Sequence, residues 1–238
     1  MNTPKENDKK LWIIDIDGTI ANVHSNQVPA WTNMMKDVYG VDVDESTLVS
    51  YFGKPFTSVL VDVLGHFGVA EAKVMEHFDR AFDGYVQGVQ QGLEKNGGEV
   101  LPGAIAFLDA LGEQGAVRAI ATGNPEEEAE HKLKYLDLRR YFDITVYAED
   151  RRERFELVEE VLRQAKETHG VAVGEKQFAI IGDSPHDIES GKRFGALSIG
   201  VATGTTSKEV LAQKQPDLIF DSIADYEKII AQATRAMR

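Results

Sequence analysis

The sequence predicts an α/β protein, a mostly parallel sheet covered by helices and interrupted after its first strand by a helical insert. Residues 11–15 are a continuous apolar run ending on Asp15, the pattern of a strand buried on both faces of a parallel sheet. Comparable runs recur at 116–122, 178–182, 196–202 and 217–220, with helical patterns between them. Such alternation implies parallel strands joined by covering helices. Residues 22 to about 99 break that rhythm, which places a separate helical unit there.

In chain order, the first strand gives way to "ANVHSNQVP", which reads as a linker or hinge. Within the insert Leu60, Leu64 and Phe67 have helical spacing, as do Phe78, Phe82, Tyr85 and Val89. The second group reads most simply as the insert's own core. The Gly- and Pro-rich "KNGGEVLPG" closes the insert. Beyond it, Ile105, Leu108 and Leu111 predict a helix and "AVRAIAT" the next strand, with Pro125 near the first turn of the helix that follows. Leu157, Val158, Val161, Leu162 and Ala165 form one helical stripe. "FAIIG", "ALSIGVA" and "DLIF" supply the remaining strands.

At 238 residues and 42% hydrophobic content the chain can bury a sizeable core, or a core with a smaller insert. A formal net charge of -13 argues against non-specific binding to a nucleic-acid polymer or an anionic membrane. An anionic substrate stays open, because local dipoles or a metal override the global field inside a cleft. The absence of cysteine excludes disulfides, thiolate metal sites and thiol nucleophiles. The first ten residues are polar, unlike a secretory signal, and no apolar run is long enough to span a bilayer. These features predict a cytoplasmic protein with a frayed N-terminus.

The first strand ends in "DIDGT". Open parallel sheets bind ligands at the carboxyl ends of their strands, where Asp15 and Asp17 fall. Gly18 permits a tight turn that brings Asp17 back over such a site. Taken alone, the pair is equally a turn cap and a solvated carboxylate. "FAIIGDSPHDIESG" repeats the arrangement, an apolar strand ending in Asp183 with Asp187 four residues on. Carboxylates converging from two strand ends suit a hard cation such as Mg²⁺. A third strand ends in Thr122, Gly123 and Asn124 ahead of a helix start, either an anion cradle or a simple helix cap.

D-x-D-G-T after an apolar strand, Thr122 ending a second strand and G-D-S-x-x-D after a later one together resemble the phosphatase branch of the haloacid dehalogenase superfamily. The resemblance runs from residue 11 to about 221, with the layout of phosphoglycolate-phosphatase-type members. It implies a Rossmann-like sheet with helices on both faces. It also implies an α/β catalytic core of residues 1–22 and 100–238, with a small α-helical cap at 23–99. By the same resemblance Asp15 is the nucleophile that takes a phosphoryl group, and Asp17 the acid and then the base. Mg²⁺ is held by Asp15, the backbone carbonyl of Asp17 and Asp183, with Asp187 either a metal ligand through water or an orienter of the other ligands. Gly18, Thr19, Thr122, Gly123, Asn124 and Arg154 hold the phosphoryl oxygens.

The family's usual cation before the last acidic motif has no Lys-Pro signature here. In "AEDRRERFELVEEVL", Arg154 at the predicted helix start is preferred over Arg151 and Arg152. His186 is either a lining residue at the entrance or a bystander. Lys54, in "YFGKPF", is either a cap residue reaching the substrate or part of a helix linker. Glu126 to Glu128 read as an acidic helix face favoured by the dipole. The resulting expectation is a Mg²⁺-dependent phosphatase of a small phosphomonoester, acting through an aspartyl-phosphate. The alternatives are a phosphosugar mutase of the same superfamily and a non-enzymatic phosphate-responsive binding module.

Overall fold

The computed structural model describes residues 9–148, 153–171 and 173–237. The chain runs β1 (Leu11–Ile14), β2 (Ala21–Asn22), α1 (His24–Tyr39), α2 (Glu45–Val49), α3 (Phe56–His66), α4 (Glu71–Glu76), α5 (Phe78–Asn96) and β3 (Glu99–Val100). It continues with α6 (Ala104–Glu113), β4 (Val117–Ala121), α7 (Glu126–Tyr135), β5 (Ile144–Val146) and α8 (Arg154–His169). The last part is β6 (Phe178–Gly182), α9 (Pro185–Arg193), β7 (Leu197–Val201), α10 (Lys208–Gln213), β8 (Leu218–Phe220) and α11 (Tyr226–Ala236). The expected frayed terminus lies outside the described residues. No helix among the described residues is long and apolar enough to cross a membrane.

Six strands form one parallel sheet in the order β5-β4-β1-β6-β7-β8. The chain builds outward from β1 to β4 and β5, then crosses back to start β6 on the other flank. That reversal makes the carboxyl end of β1 the switch point where open α/β sheets bind ligands. Ile14 pairs with Ile120 on β4 and with Ile181 on β6. Asp15 is therefore level with Ala121 and Gly182, and Thr122 and Asp183 stand one residue beyond.

Side-chain alternation along β1 divides the core in two. Trp12 and Ile14 face a cluster with Phe107 of α6, Leu133 of α7 and Ile229 of α11. Leu11 and Ile13 face a second cluster built on Leu157, Val158 and Val161 of α8. Helices thus cover both faces of the sheet, as the fold class requires. β5, an edge strand of three residues, was not legible in the sequence because so short a run carries no distinctive period.

Helices α1 to α5 gather their own apolar core, in which Trp31 stacks on Phe56 at 4.8 Å and meets Tyr85 at 4.4 Å. The expected linker at "ANVHSNQVP" is corrected here: α1 begins at His24 and carries Pro29 inside it. Pro29 is on the exposed face, while Ala30, Trp31, Met34 and Met35 are buried. Burial of that face outweighs the hydrogen bond lost at the proline. β2 and β3 pair antiparallel, Ala21 with Val100 and Asn22 with Glu99, so both ends of the insert leave the sheet through one narrow neck.

Candidate active site

Asp15 continues the alternation of Leu11 and Ile13 and so faces α8, whose first residue is Arg154. A capping box between Glu153 and Glu156 starts that helix and fixes where Arg154 stands. Arg154 Nη2 lies 2.8 Å from Asp15 Oδ1 and 2.6 Å from Asp187 Oδ1, and donates to the Ala121 carbonyl at 3.0 Å. Its Nη1 donates to the carbonyl of Gly53, in the insert, at 3.2 Å. Arg151 and Arg152, the less favoured alternatives, lie outside the described residues.

Asp15, Asp183 and Asp187 each offer an oxygen within 4.8 Å of the others, and all three are buried. Ser184 caps α9 and holds Asp187, donating from its hydroxyl at 2.6 Å and its amide at 3.1 Å. Gly18, at φ +77°, and Gly204 make room for Asp183. A methyl group at either would stand 2.4 Å or 1.6 Å from Asp183 Oδ2. Burial, opposed by Arg154 and reinforced by Asp187, pushes the Asp15 carboxyl up to about 6. Burial, then Asp15 and Asp187, raises Asp183 well above the carboxylate range. Three buried carboxylates balanced by one guanidinium, with oxygen the sole donor type, fit a hard divalent cation.

Asp17 is directed elsewhere. Past the end of β1 its carboxylate turns towards α7, on the opposite face of the sheet from α8. Lys132 Nζ donates to Asp17 Oδ1 at 3.2 Å and Oδ2 at 2.9 Å. Asn124 Nδ2 donates to Oδ2 at 2.5 Å and Gln27 Nε2 at 3.2 Å. Asp17's carboxylate is thus not part of the Asp15, Asp183 and Asp187 group. Asn124, expected to hold phosphate, has its side-chain amide on Asp17 instead.

A cavity of about 210 Å³ opens between the insert and the strand ends. Asp15, Asp17, Gly18, Thr122, Gly123, Asn124, Arg154 and Asp183 line it on the sheet side. His24, Gln27, Trp31, Phe56 and Tyr85 line it on the insert side. The two sides are bonded together, since Phe56 N donates to the Gly123 carbonyl at 2.9 Å. Lys54 lines the cavity too, with its ammonium on Asp62 at 2.7 Å.

Two of the residues expected to bind phosphate have their amides engaged within the turn after β1. Thr19 is fully buried and outside the cavity lining, with its amide on the Ile16 carbonyl at 3.2 Å and its hydroxyl unpartnered. Gly18 lines the cavity, but its amide donates to the Ala21 carbonyl at 2.8 Å. The turn after β1 uses both amides to close on itself. His186 is not among the lining residues; it packs near Gly53 on α9.

Sequence reasoning missed Lys132, Glu128, Gln27 and the Thr203–Thr206 loop. The loop had a signal, small polar residues following a buried strand. Glu128 and Lys132 had none, because a Glu and a Lys four apart on a helix usually form an exposed pair. Glu126 and Glu127 are exposed as expected of an acidic first turn, but Glu128 is buried and paired with Lys132.

The arrangement is that of an α/β enzyme with an acidic centre at its switch point and a helical insert lining the same cavity. The sequence profile of the haloacid dehalogenase-like hydrolases matches residues 12–201, and the chain belongs to that family, in its phosphatase branch. It is 25% identical to a protein assigned as the pyrophosphatase PpaX in Caldanaerobacter subterraneus, over 92% of this chain and 93% of that one. It is 29% identical to the phosphoglycolate phosphatase of Salmonella typhi over 53% of this chain and 49% of that one. A crystal structure of a hydrolase from Pseudomonas syringae superposes with a TM-score of 0.78 at 20% identity, covering 94% of this chain and 99% of the other.

Proposed function

We propose that this hydrolase is a Mg²⁺-dependent phosphatase of small phosphomonoesters, with residues 23–99 acting as a cap over a catalytic core of 1–22 and 100–238. The observation that carries the reading is the grouping of Asp15, Asp183 and Asp187 around Arg154, with Asp17 held apart from them under the insert. Two carboxylates in different surroundings suit two roles.

Asp15 attacks phosphorus, and the bond from phosphorus to the ester oxygen breaks. The proton needed by the departing oxygen comes from Asp17. Asp17 then takes a proton from water, which attacks the aspartyl-phosphate; phosphate leaves and Asp15 is restored. Arg154, Thr122 and Gly123 orient the phosphoryl oxygens from the strand ends. Asp15, Asp183, Asp187 and the Asp17 carbonyl are the residues that would hold Mg²⁺, which supplies charge neutralisation at the phosphoryl group when bound. The insert excludes water, and its small cavity favours a compact leaving group.

The test is phosphate release from a panel of small phosphomonoesters, with Mg²⁺ and then with EDTA, comparing wild type and Asp15→Asn. Metal-dependent release that the variant lacks is expected. Isomerised sugar phosphate without released phosphate would establish a mutase, and a phosphoenzyme persisting for hours a binding module.

A further inference from the structure

We propose that Lys132, locked to Glu128 on α7, is a positioning residue that holds the Asp17 carboxylate in place for proton transfer, an inference that rests on the phosphatase reading above. Both side chains of the Lys132–Glu128 pair are fully buried. A buried ion pair is no more stabilising than well-packed apolar residues of the same volume, so packing gives no reason for it. Its donors do. Lys132 directs its ammonium to both oxygens of Asp17 and to Glu128 Oε1.

Glu128 Oε1 in turn accepts from Tyr85 Oη at 2.9 Å and Gln27 Nε2 at 3.1 Å, both residues of the insert. Gln27 Nε2 also reaches Asp17 itself. Asp17 is therefore gripped from α7, from Asn124 after β4, and from the insert. The two carboxylates of "DID" take separate cations on opposite faces of the sheet, Arg154 for Asp15 and Lys132 for Asp17. Lys132 keeps Asp17 out of the Asp15, Asp183 and Asp187 group, where it would be useless to a leaving oxygen. Lys132 keeps its own proton throughout; the proton given to the leaving oxygen is Asp17's, and water returns it.

An alkoxide needs that proton to leave, whereas p-nitrophenolate does not. The experiment compares kcat/KM for glycerol 1-phosphate, or the fastest alkyl ester of the panel, with kcat/KM for p-nitrophenyl phosphate. The double variant Lys132→Met/Glu128→Gln removes both fully buried charges together, so that Glu128 is not left as a buried carboxylate without its ammonium, and leaves the partly exposed Asp17 to Asn124 and Gln27. It should lose about 100-fold on the alkyl ester and less than about threefold on the aryl ester, the range of a displaced general acid. Gln27→Leu, which leaves the ion pair intact, should show the same asymmetry at smaller amplitude and serves if the double variant does not fold. Parallel losses on both esters, or no loss, overturn the inference while the phosphatase reading stands. A wild type that releases phosphate from no alkyl ester removes the reading and the inference together.

Discussion

Replacing Asp15 by asparagine removes a carboxyl that burial holds at about 6 in the folded protein, against an ordinary 3.8. The folded state binds this proton more tightly than the unfolded chain does. As pH rises from about 4 to about 6 the unfolded chain ionises first, so folding stability contributed by this group falls and then levels off. The displacement from 3.8 to about 6 corresponds to ~3 kcal/mol. Asp15→Asn escapes that penalty, and it also relieves Asp183, which Asp15 helps to raise. Urea unfolding in EDTA, followed from pH 4 to 7.5, should show the variant gaining on wild type by about 3 kcal/mol across that window. Saturating Mg²⁺ should cancel the gain, because a divalent cation stabilises the wild-type carboxylates and binds the folded state alone. A difference independent of pH, or a variant that loses ground as pH rises in EDTA, would refute the reasoning.

Two further outcomes follow from the same geometry. Arg154→Ala leaves Asp15, Asp183 and Asp187 buried without their guanidinium, and should lower stability in EDTA by about 3–5 kcal/mol in urea titrations; a loss below about 1 kcal/mol, the range of exposed pairs, would show that Arg154 does not balance them. Gly204→Ala sets a methyl against Asp183 Oδ2, so the Mg²⁺ concentration for half-maximal rate should rise by about tenfold or more; an unchanged metal titration would separate Asp183 from the metal.

The order of strands and helices was legible because buried parallel strands and amphipathic helices have different periods. The acidic residues were legible because the same pattern, an apolar strand ending on a carboxylate, recurs at Asp15 and Asp183, where either one alone reads equally well as a turn cap. Arg154 was reachable too, as a cation at a helix start before the last acidic motif, where the family resemblance implies one. Other parts were hidden by long-range packing. α1 carries Ser25, Asn26 and Pro29, the composition of a loop, and is helical because Trp31 and Met35 bury against other insert helices. Thr19 belongs to the motif, yet the turn after β1 folds it inward.

The sequence by itself determined a parallel sheet with a helical insert, an acidic centre at its carboxyl edge and the family to which the chain belongs. Each of these follows from local pattern, since period and strand-end chemistry are written within a few residues. Only the tertiary structure decided which cation serves which carboxylate. Lys132 and Asp17 are 115 residues apart, and Gln27 and Glu128 are 101 apart. Their meeting depends on which face of the sheet α7 covers and where the neck seats the insert, and no local pattern in the chain encodes a contact at that distance.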